Sequence, residues 1–327
     1  MAIEEFFEKI LTNLNPSQSD IEKISHRHLE LRKDLNESMS VEEDFLTGSY
    51  SRNTLIIVAK NEPFDVDFFL AFSDREYSDS ELSGLIDEVR VALLGIMSDN
   101  PEIQEIILQN RSVGVIYGEN FKIDVVPAIQ IEKDLRYRIY DKLTSTPIES
   151  NPKIHSKLLT EANERTESGG KKRLVPIIKL LKLWKSKQCE DLKSFHLELL
   201  AIEILGSEEI ASYSQGLKTF FDSLPSHIAS SGLEDPANSK NVIDVYLDED
   251  EKRGRITSSA NDAIEIIKIA ISREDDGDID GAINEWEKLF SDSIDSPNTR
   301  TASRDPKIFP VAGGPKPYSD EPGDSTN

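Results

Sequence analysis

The chain has 327 residues and a formal net charge of −23, and this excess of acid argues against a broad grip on duplex nucleic acid, which needs Lys and Arg to neutralise phosphates. The length suggests about two domains, and the single Cys189 excludes an internal disulfide framework and a zinc site built from several thiolates. The acidic N-terminal segment lacks a signal-peptide pattern and no apolar run approaches the about 20 residues that cross a bilayer, so we expect a cytoplasmic protein without membrane contact.

The first part of the chain changes from helical to strand spacing. Apolar residues in the first 35 positions predict two helices, and His26 and His28 on the second are interpreted as surface histidines because no third ligand accompanies them. A further helix is predicted at 81–97, and Gly118 and Asn120 mark a hairpin turn. The pattern indicates an α/β lobe with at least one antiparallel pair. Runs of β-branched and aromatic residues predict strands at 54–59, 64–72, 113–117 and 121–129.

The second part of the chain has helical spacing almost throughout, which is clearest from Leu174 to Trp184. The Pro- and Gly-rich tail is interpreted as a terminus without fixed structure, and the alternative is a docking peptide for a regulatory protein. The expected organisation is a lobe at 1–146 that includes the N-terminal helices, a helical lobe at 147–291 and a flexible tail at 292–327.

Three aspartates fall on two of the predicted strands. Side chains alternate between the faces of a strand, so Asp65 and Asp67 share one face while Val66 points into the core. In the later strand Lys122 and Asp124 share the polar face. If the two strands are neighbours, three mutually repelling carboxylates meet, and such a cluster is usually kept because it binds divalent cations such as Mg²⁺. Two Mg²⁺ ions would suit an in-line phosphoryl displacement.

Gly48 and Ser49 precede this pair of aspartates and supply a complementary feature. A glycine lets the backbone approach a phosphate closely, and successive N–H groups with a hydroxyl form an anion-binding nest. Alone, a Gly-Ser pair is most often a turn and an Asp-x-Asp pair is most often a solvated edge. The order of the elements favours a nucleotide site, and the absence of G-x-x-x-x-G-K-[ST] disfavours a P-loop NTPase.

These segments resemble a known family. GSYSRNT at 48–54, FDVDFFL at 64–70 and FKIDVVPAI at 121–129 resemble the DNA-polymerase-β-like nucleotidyltransferases, and within them the SMODS-type bacterial cGAS/DncV-like enzymes, or CD-NTases. The resemblance runs from about Glu5 to Phe290 and includes LLKLWK and LKSFHLEL in the helical part. It implies an α/β fold: a polymerase-β-like nucleotidyltransferase lobe with a mixed sheet, plus an all-helical second lobe.

The resemblance also implies roles for the residues of the first lobe. Asp65, Asp67 and Asp124 would hold two Mg²⁺ ions, for which Mn²⁺ can substitute, and Asp124 would favour deprotonation of an attacking ribose hydroxyl. Gly48 and Ser49 would cradle the β- and γ-phosphates of the donor nucleotide. The catalytic set would therefore be the three aspartates, with the Gly-Ser bend as the phosphate site.

Three residues of the helical lobe complete the implied site. Lys182 would contact the triphosphate, Ser194 would bind the same phosphates, and Phe195 would stack on a base. Each has a plainer interpretation that stays open at this point. Lys182 would belong to a solvated lysine face, Ser194 would be only a helix N-cap, and Phe195 would be a core residue.

The implied activity is synthesis of a cyclic di- or trinucleotide second messenger from nucleoside triphosphates, with release of pyrophosphate, in anti-phage (CBASS) signalling. A separate effector protein would read the product, and no duplex DNA activator is expected because long basic surfaces are missing. The alternative is transfer of a nucleotide onto a protein or RNA acceptor.

One further motif requires a choice. Asp276 to Gly281 followed by Glu287 fits the D-x-[DN]-x-[DN]-G-x5-E pattern of calcium loops. The favoured interpretation is an acidic connection between two helices, and calcium binding is the alternative.

Overall fold

The computed structural model describes residues 2–58, 64–75, 77, 81–118, 121–132 and 136–290. The tail predicted at 292–327 and Asn120 of the predicted hairpin turn lie outside these residues. Within the described residues the chain forms a lobe built on a sheet and a second, mainly helical lobe. No helix in these ranges is both long enough and apolar enough to cross a bilayer.

The first lobe is built on a seven-stranded sheet, for which the strand order is β1-β2-β5-β4-β3, with β6 pairing β5 and β7. β2 and β5 are parallel and the other pairs are antiparallel, so the predicted mixed sheet is confirmed. β4 and β5 pair as the expected hairpin. The strands are β1 Glu43–Thr47, β2 Phe64–Ser73, β3 Ile103–Leu108, β4 Val113–Tyr117, β5 Phe121–Glu132, β6 Arg136–Asp141 and β7 Thr146–Ser150.

The helices fall into two groups. One group covers a face of the sheet, and the other forms the second lobe together with a small two-stranded hairpin, β8 Glu234–Asp235 and β9 Asn238–Val242, so the description of that lobe as all-helical is wrong at this hairpin. The helices are α1 Ala2–Leu14, α2 Gln18–Ser38, α3 Gly48–Ser51, α4 Leu82–Asp99, α5 Pro152–Arg165, α6 Leu174–Gln188, α7 Ser194–Leu205, α8 Tyr213–Ala229, α9 Asp250–Asp275 and α10 Ile279–Leu289.

The predicted strand at 54–59 is not a strand over its described part. Leu55 and Ile56 are buried, and Ile56 packs with Leu14 and Leu183 in a small core between the lobes. The Ile57 N–H donates to the Leu14 carbonyl at 2.8 Å. The apolar run is therefore explained by packing against the helical lobe rather than by pairing in the sheet.

Two observations shift the predicted lobe boundaries. β7 pairs with β6, so the sheet lobe extends to Ser150 and not to residue 146. The first helix, expected in the catalytic lobe, packs into the second: the Phe7 ring lies 5.5 Å from Tyr213 and 5.1 Å from Trp286, centroid to centroid. Because α1 precedes the sheet lobe in sequence, only its contacts identify the core to which it belongs.

The acidic motif in the second lobe is a helix connection. α9 runs to Asp275 and α10 begins at Ile279, which lies inside the stretch that a calcium loop would need for its ligands. The Asp278 carboxylate caps α10, since it accepts from the Gly281 N–H at 3.0 Å, and it also pairs with Arg273 at 3.0 Å. The calcium alternative is therefore wrong, and the motif provides an N-cap.

His28 is buried rather than on the surface, which corrects the interpretation from the sequence, whereas His26 is exposed. The His28 ring packs edge-on against Phe68 at 5.2 Å, and burial together with the charge of Arg32 lowers the pKa of His28 to about 4. The unfolded chain takes up a proton near pH 6.5 and the folded chain does not, so this site stabilises the fold above that pH and loses its contribution as the pH falls towards 4.

We expect the free energy of unfolding of the wild type to fall between pH 7 and pH 5 by about 2 kcal/mol more than that of His28→Leu. Urea unfolding at the two pH values measures this difference, and His26→Leu on the same helix is the exposed control, which should keep the wild-type pH dependence. An equal loss of stability in wild type and His28→Leu would contradict the assignment.

Candidate active site

The three predicted carboxylates lie on one face of the sheet because β2 and β5 are direct neighbours. The register places Asp67 opposite Asp124 and Asp65 opposite Lys122. Alternation along β2 buries Val66 in the core on the other face, as the sequence predicted. Parallel pairing therefore brings together residues that the chain separates by a helix and two strands.

A lysine ammonium lies inside this cluster. Lys122 Nζ is 2.6 Å from Asp124 Oδ2 and 3.6 Å from Asp65 Oδ2, and both Lys122 and Asp124 are buried. Gln109 Nε2 donates to Asp124 Oδ1 at 2.9 Å. In the described part of the chain, no group of three or more His, Cys, Asp or Glu is gathered around one point as a ready metal site. The aspartates face one another, but a protein cation lies against two of them.

The electrostatics of the cluster are unfavourable. Burial and the charge of Asp124 raise the pKa of Asp67 to about 6, although Arg52 opposes this. Burial and the charge of Asp67 raise the pKa of Asp65 well above its ordinary value. Among the residues that the structure describes, Asp65 Oδ1 is buried and has no hydrogen-bond partner. Such a cluster gains free energy from any cation that its oxygens can bind.

The Gly-Ser bend contacts this cluster directly. Thr47 at the end of β1 pairs with Asp67, and the next residue, Gly48, has a φ of 71°, in the left-handed region that favours glycine. A Cβ added at Gly48 would overlap the Asp67 carboxylate. Ser49 follows in the short helix α3 and is buried. The structure therefore places the Gly-Ser bend, predicted to bind phosphate, against Asp67, one of the predicted metal ligands.

Lys182 is placed differently from the simplest expectation. Its ammonium donates to the Thr54 carbonyl at 2.9 Å and to Thr54 Oγ1 at 3.1 Å, and it pairs with Glu198 Oε1 at 2.5 Å. These contacts use its three N–H donors. Burial lowers its pKa, while Glu198 opposes that shift. The solvated lysine face is therefore wrong for Lys182, which holds the segment after the Gly-Ser bend against the helical lobe.

Glu198 is the residue that sequence reasoning missed. It is 2% exposed, accepts from Thr54 Oγ1 at 2.9 Å, and pairs with Arg52 Nε at 2.8 Å. Burial opposes its ionisation, but Arg52 and Lys182 hold the pKa of Glu198 at about 2. The available signal was weak, because Glu198 is one of two acids, with Glu203, in the otherwise apolar run LELLAIEIL of α7. Lys122 was visible on the polar face of its strand, whereas nothing in the sequence pointed to Gln109.

Ser194 and Phe195 lie at the start of α7. Lys193 is the N-cap residue and Ser194 is the first helical residue, so the N-cap alternative is wrong. The Phe195 ring is half-buried, 4.8 Å from the His155 ring and 5.5 Å from the Arg52 guanidinium carbon. It therefore lies beside the Gly-Ser segment rather than deep in the helical core. His155 in turn hydrogen-bonds Asp235 at 2.6 Å.

Comparison with known proteins places this site in a family. Residues 1–163 match the model of the Second Messenger Oligonucleotide or Dinucleotide Synthetase domain, a range that contains all three aspartates and the Gly-Ser bend. The chain belongs to the CD-NTases. These are nucleotidyltransferases, so this CD-NTase is an enzyme of the class that the resemblance implied.

Curated relatives extend the match into the helical lobe. A CBASS oligonucleotide cyclase, CdnC, from Escherichia coli strain KTE188 is 23% identical over 283 residues, which cover 81% of this chain and 87% of the relative. A cyclic AMP-AMP-AMP synthase from Acinetobacter sp. is 27% identical over 309 residues, which cover 89% of this chain and 84% of the relative.

A solved structure shows the same fold. CdnC from E. coli MS115-1, solved with ATP, superposes with a TM-score of 0.70 at 19% identity over 90% of this chain and 99% of its own. The same protein in complex with HORMA-deltaN gives a TM-score of 0.69 at 20% identity, over 90% of this chain and 98% of its own. Both lobes are therefore shared with a CD-NTase of known structure.

Proposed function

We propose that this CD-NTase joins nucleoside triphosphates into a cyclic di- or trinucleotide, with Mg²⁺ at Asp65, Asp67 and Asp124 and with release of pyrophosphate. The observation that carries the proposal is the register that places Asp67 opposite Asp124 while Gly48 lies against the Asp67 carboxylate. Nucleotidyl transfer needs negative ligands for metal and a backbone that approaches phosphate, and this geometry supplies both in one place.

The residues present fit Mg²⁺. Carboxylate oxygens are the hard ligands that Mg²⁺ prefers, and Asp65 Oδ1 is a buried oxygen that finds no hydrogen-bond partner in the described part of the chain. The raised pKa values of Asp65 and Asp67 indicate that the cluster lacks positive charge. When bound, two Mg²⁺ ions would stabilise the charge that develops on the attacking and leaving oxygens. Mn²⁺, which takes similar oxygen ligands, is proposed as a substitute.

The protein groups then position the reaction. A ribose hydroxyl of one nucleotide attacks the α-phosphorus of another, a new P–O bond forms, the bond to the bridging oxygen of the β-phosphate breaks, and pyrophosphate leaves. Asp124, whose Oδ1 accepts from the Gln109 amide, is assigned to favour loss of the hydroxyl proton. The Gly48 and Ser49 backbone is assigned to the β- and γ-phosphates. A second transfer within the linear intermediate closes the ring.

The helical lobe contributes three proposed contacts. In the described state the Lys182 ammonium is committed to Thr54 and Glu198, so its proposed contact with the triphosphate requires that it leave one of these partners. Ser194 at the start of α7 is assigned to the same phosphates, and the half-buried Phe195 ring to a base. Phe195 stands beside Arg52, where a stacked base would also meet a cation.

The biological role is proposed from the relatives. One curated relative is a CBASS oligonucleotide cyclase and another makes cyclic AMP-AMP-AMP, which supports a cytoplasmic second messenger in anti-phage defence, read by a separate effector. E. coli MS115-1 CdnC has been solved in complex with HORMA-deltaN, which supports a regulatory protein as a partner. The tail, a proposed docking segment for such a partner, lies outside the described residues.

The test is product identification. The purified chain is incubated with Mg²⁺ and all four labelled nucleoside triphosphates, treated with phosphatase, and examined by mass spectrometry. A small phosphatase-resistant cyclic product that disappears with EDTA is the expected result. Label on protein or RNA instead would favour the alternative transferase activity, and absence of pyrophosphate release under all these conditions would contradict the proposal.

A further inference from the structure

Lys122 is a buried cation in the one place where the proposed function requires divalent ions. Its side chain shares the polar face of β5 with Asp124, and its ammonium lies 2.6 Å from Asp124 Oδ2 and 3.6 Å from Asp65 Oδ2. It is 5% exposed. Burying an ammonium is costly unless it is paired, so these two carboxylates are what keep it there.

The surroundings are shaped to hold this side chain. Gly114 on β4 pairs with Asp124, and a Cβ added at Gly114 would lie 3.3 Å from Lys122 Cδ and 2.9 Å from Gln109 Nε2. The glycine thus leaves room for both the aliphatic stem of Lys122 and the amide that holds Asp124. The ammonium position is therefore part of the packed site rather than one rotamer of a loose surface chain.

The ammonium and divalent ions compete for the same oxygens. Asp65 and Asp124 are ligands in the proposed two-ion site, and an ammonium within hydrogen-bond distance of Asp124 would repel any dication bound to that carboxylate. Among the described residues, the three carboxylates are not gathered around one point, and the Lys122 ammonium lies against two of them. Binding of metal therefore has to displace the lysine.

We propose that Lys122 is the resident counter-cation of the three aspartates and competes with divalent ions for Asp65 and Asp124, so that the free enzyme binds such ions only weakly. This inference rests on the proposed function, because it takes the aspartates as metal ligands. It deepens that function by making metal binding depend on a substrate. The oxygens of a bound triphosphate add negative charge to the site and so replace the charge that the Lys122 ammonium neutralises.

The test measures Mn²⁺ binding to the nucleotide-free protein by calorimetry. Lys122→Met should bind Mn²⁺ at least about tenfold more tightly than wild type, because one positive charge within the site has gone. Lys122→Arg, which keeps the charge, should stay near wild type. Lys268→Met is the control, since Lys268 is exposed on α9, where it pairs with Glu265.

A second readout is thermal stability. Without metal, Lys122→Met should melt below wild type, because the repulsion among the three carboxylates is then no longer offset by the Lys122 ammonium. Saturating Mn²⁺ should raise its melting temperature more than that of wild type. Lys122→Gln, with a similar stem and a polar end, serves if Lys122→Met does not fold. Equal or weaker Mn²⁺ affinity in the neutral variants would overturn the inference.

The two possible failures are distinguishable. If the neutral variants gain no Mn²⁺ affinity while the wild type still makes product with Mg²⁺, only the role of Lys122 is wrong. If no variant binds Mn²⁺ with or without ATP and no product forms, the proposed function itself fails.

Discussion

Asp67→Asn is expected to reduce product formation at least about a thousandfold while the ligand-free protein folds as well as wild type or better. Asp67 lies between the Gly48 bend and Asp124, so its carboxylate is the one shared by the proposed phosphate site and the proposed metal site. An amide of the same shape keeps the packing but loses the negative charge that binds a divalent ion. Catalysis that rests on positioning and metal electrostatics cannot survive this loss.

The stability part of this prediction follows from the same charge. Burial and the charge of Asp124 raise the pKa of Asp67 to about 6, which means that the ionised carboxylate is unfavourable in the folded, metal-free protein at neutral pH. Asparagine removes that unfavourable charge, so the free energy of unfolding at neutral pH should be unchanged or raised. If Asp67→Asn loses activity without losing stability, the proposed catalytic role of Asp67 is separated from any structural role more sharply than by loss of activity alone.

Initial rates of pyrophosphate release and urea unfolding measure the two halves of the prediction. Asp262→Asn, an exposed aspartate on α9, is the matched control and should change neither quantity. Product formation by Asp67→Asn within tenfold of wild type would remove Asp67 from the catalytic set. A marked loss of stability would instead show that the carboxylate has a structural partner that outweighs its repulsion by Asp124.

The alternation of side chains along a β-strand explains why much of the candidate site could be predicted. Side chains along a strand alternate between its two faces, so the prediction that Asp65 and Asp67 share one face and Val66 lies on the other needed no tertiary information. The same rule placed Lys122 beside Asp124. What the rule could not supply was the parallel pairing of β2 with β5, because parallel strands are joined by long crossovers whose register no local pattern records.

Long-range partners account for the remainder. Glu198 meets Arg52 across 146 residues of sequence, and nothing local distinguishes the buried Glu198 from the exposed Glu203 of the same helix or shows what either will bind. The calcium motif failed for the opposite reason: its local pattern was complete, but α10 begins within it and takes Asp278 as its cap. Ion-pair partners and motif context both depend on the assembled fold.

Replacing Glu198 with glutamine is expected to destabilise the protein by about 3–5 kcal/mol, because breaking a buried ion pair leaves uncompensated charge behind. Two cations, Arg52 and Lys182, pair with the Glu198 carboxylate. The Glu198 side chain is 2% exposed, and the side chains of both cations are also buried. The pKa of Glu198, held at about 2 by these cations, indicates how strongly the folded state favours its charge. Urea unfolding at neutral pH measures the loss.

Glu203→Gln supplies the control, since Glu203 lies on the same helix and is exposed. Its free energy of unfolding should stay within about 0.5 kcal/mol of wild type. The double variant Glu198→Gln/Lys182→Met should be more stable than the sum of its single variants predicts, because removing one cation reduces the charge that Glu198 neutralises. Additive effects would mean that Lys182 and Glu198 do not act as a pair.

The effect of Glu198→Gln on activity depends on where the ion pairs of Glu198 lie. Arg52 and Thr54 belong to the segment that follows the Gly48 bend, while Lys182 and Glu198 belong to α6 and α7. The Glu198 carboxylate therefore connects the proposed phosphate site to the helical lobe. Glu198→Gln should therefore raise the KM for nucleotide more than it lowers kcat, because the bend loses its support while the three aspartates keep theirs. Partial rescue of KM by Glu198→Asp would distinguish this positioning role from general loss of stability. A fall in kcat alone, with KM unchanged, would place the effect at the aspartates instead.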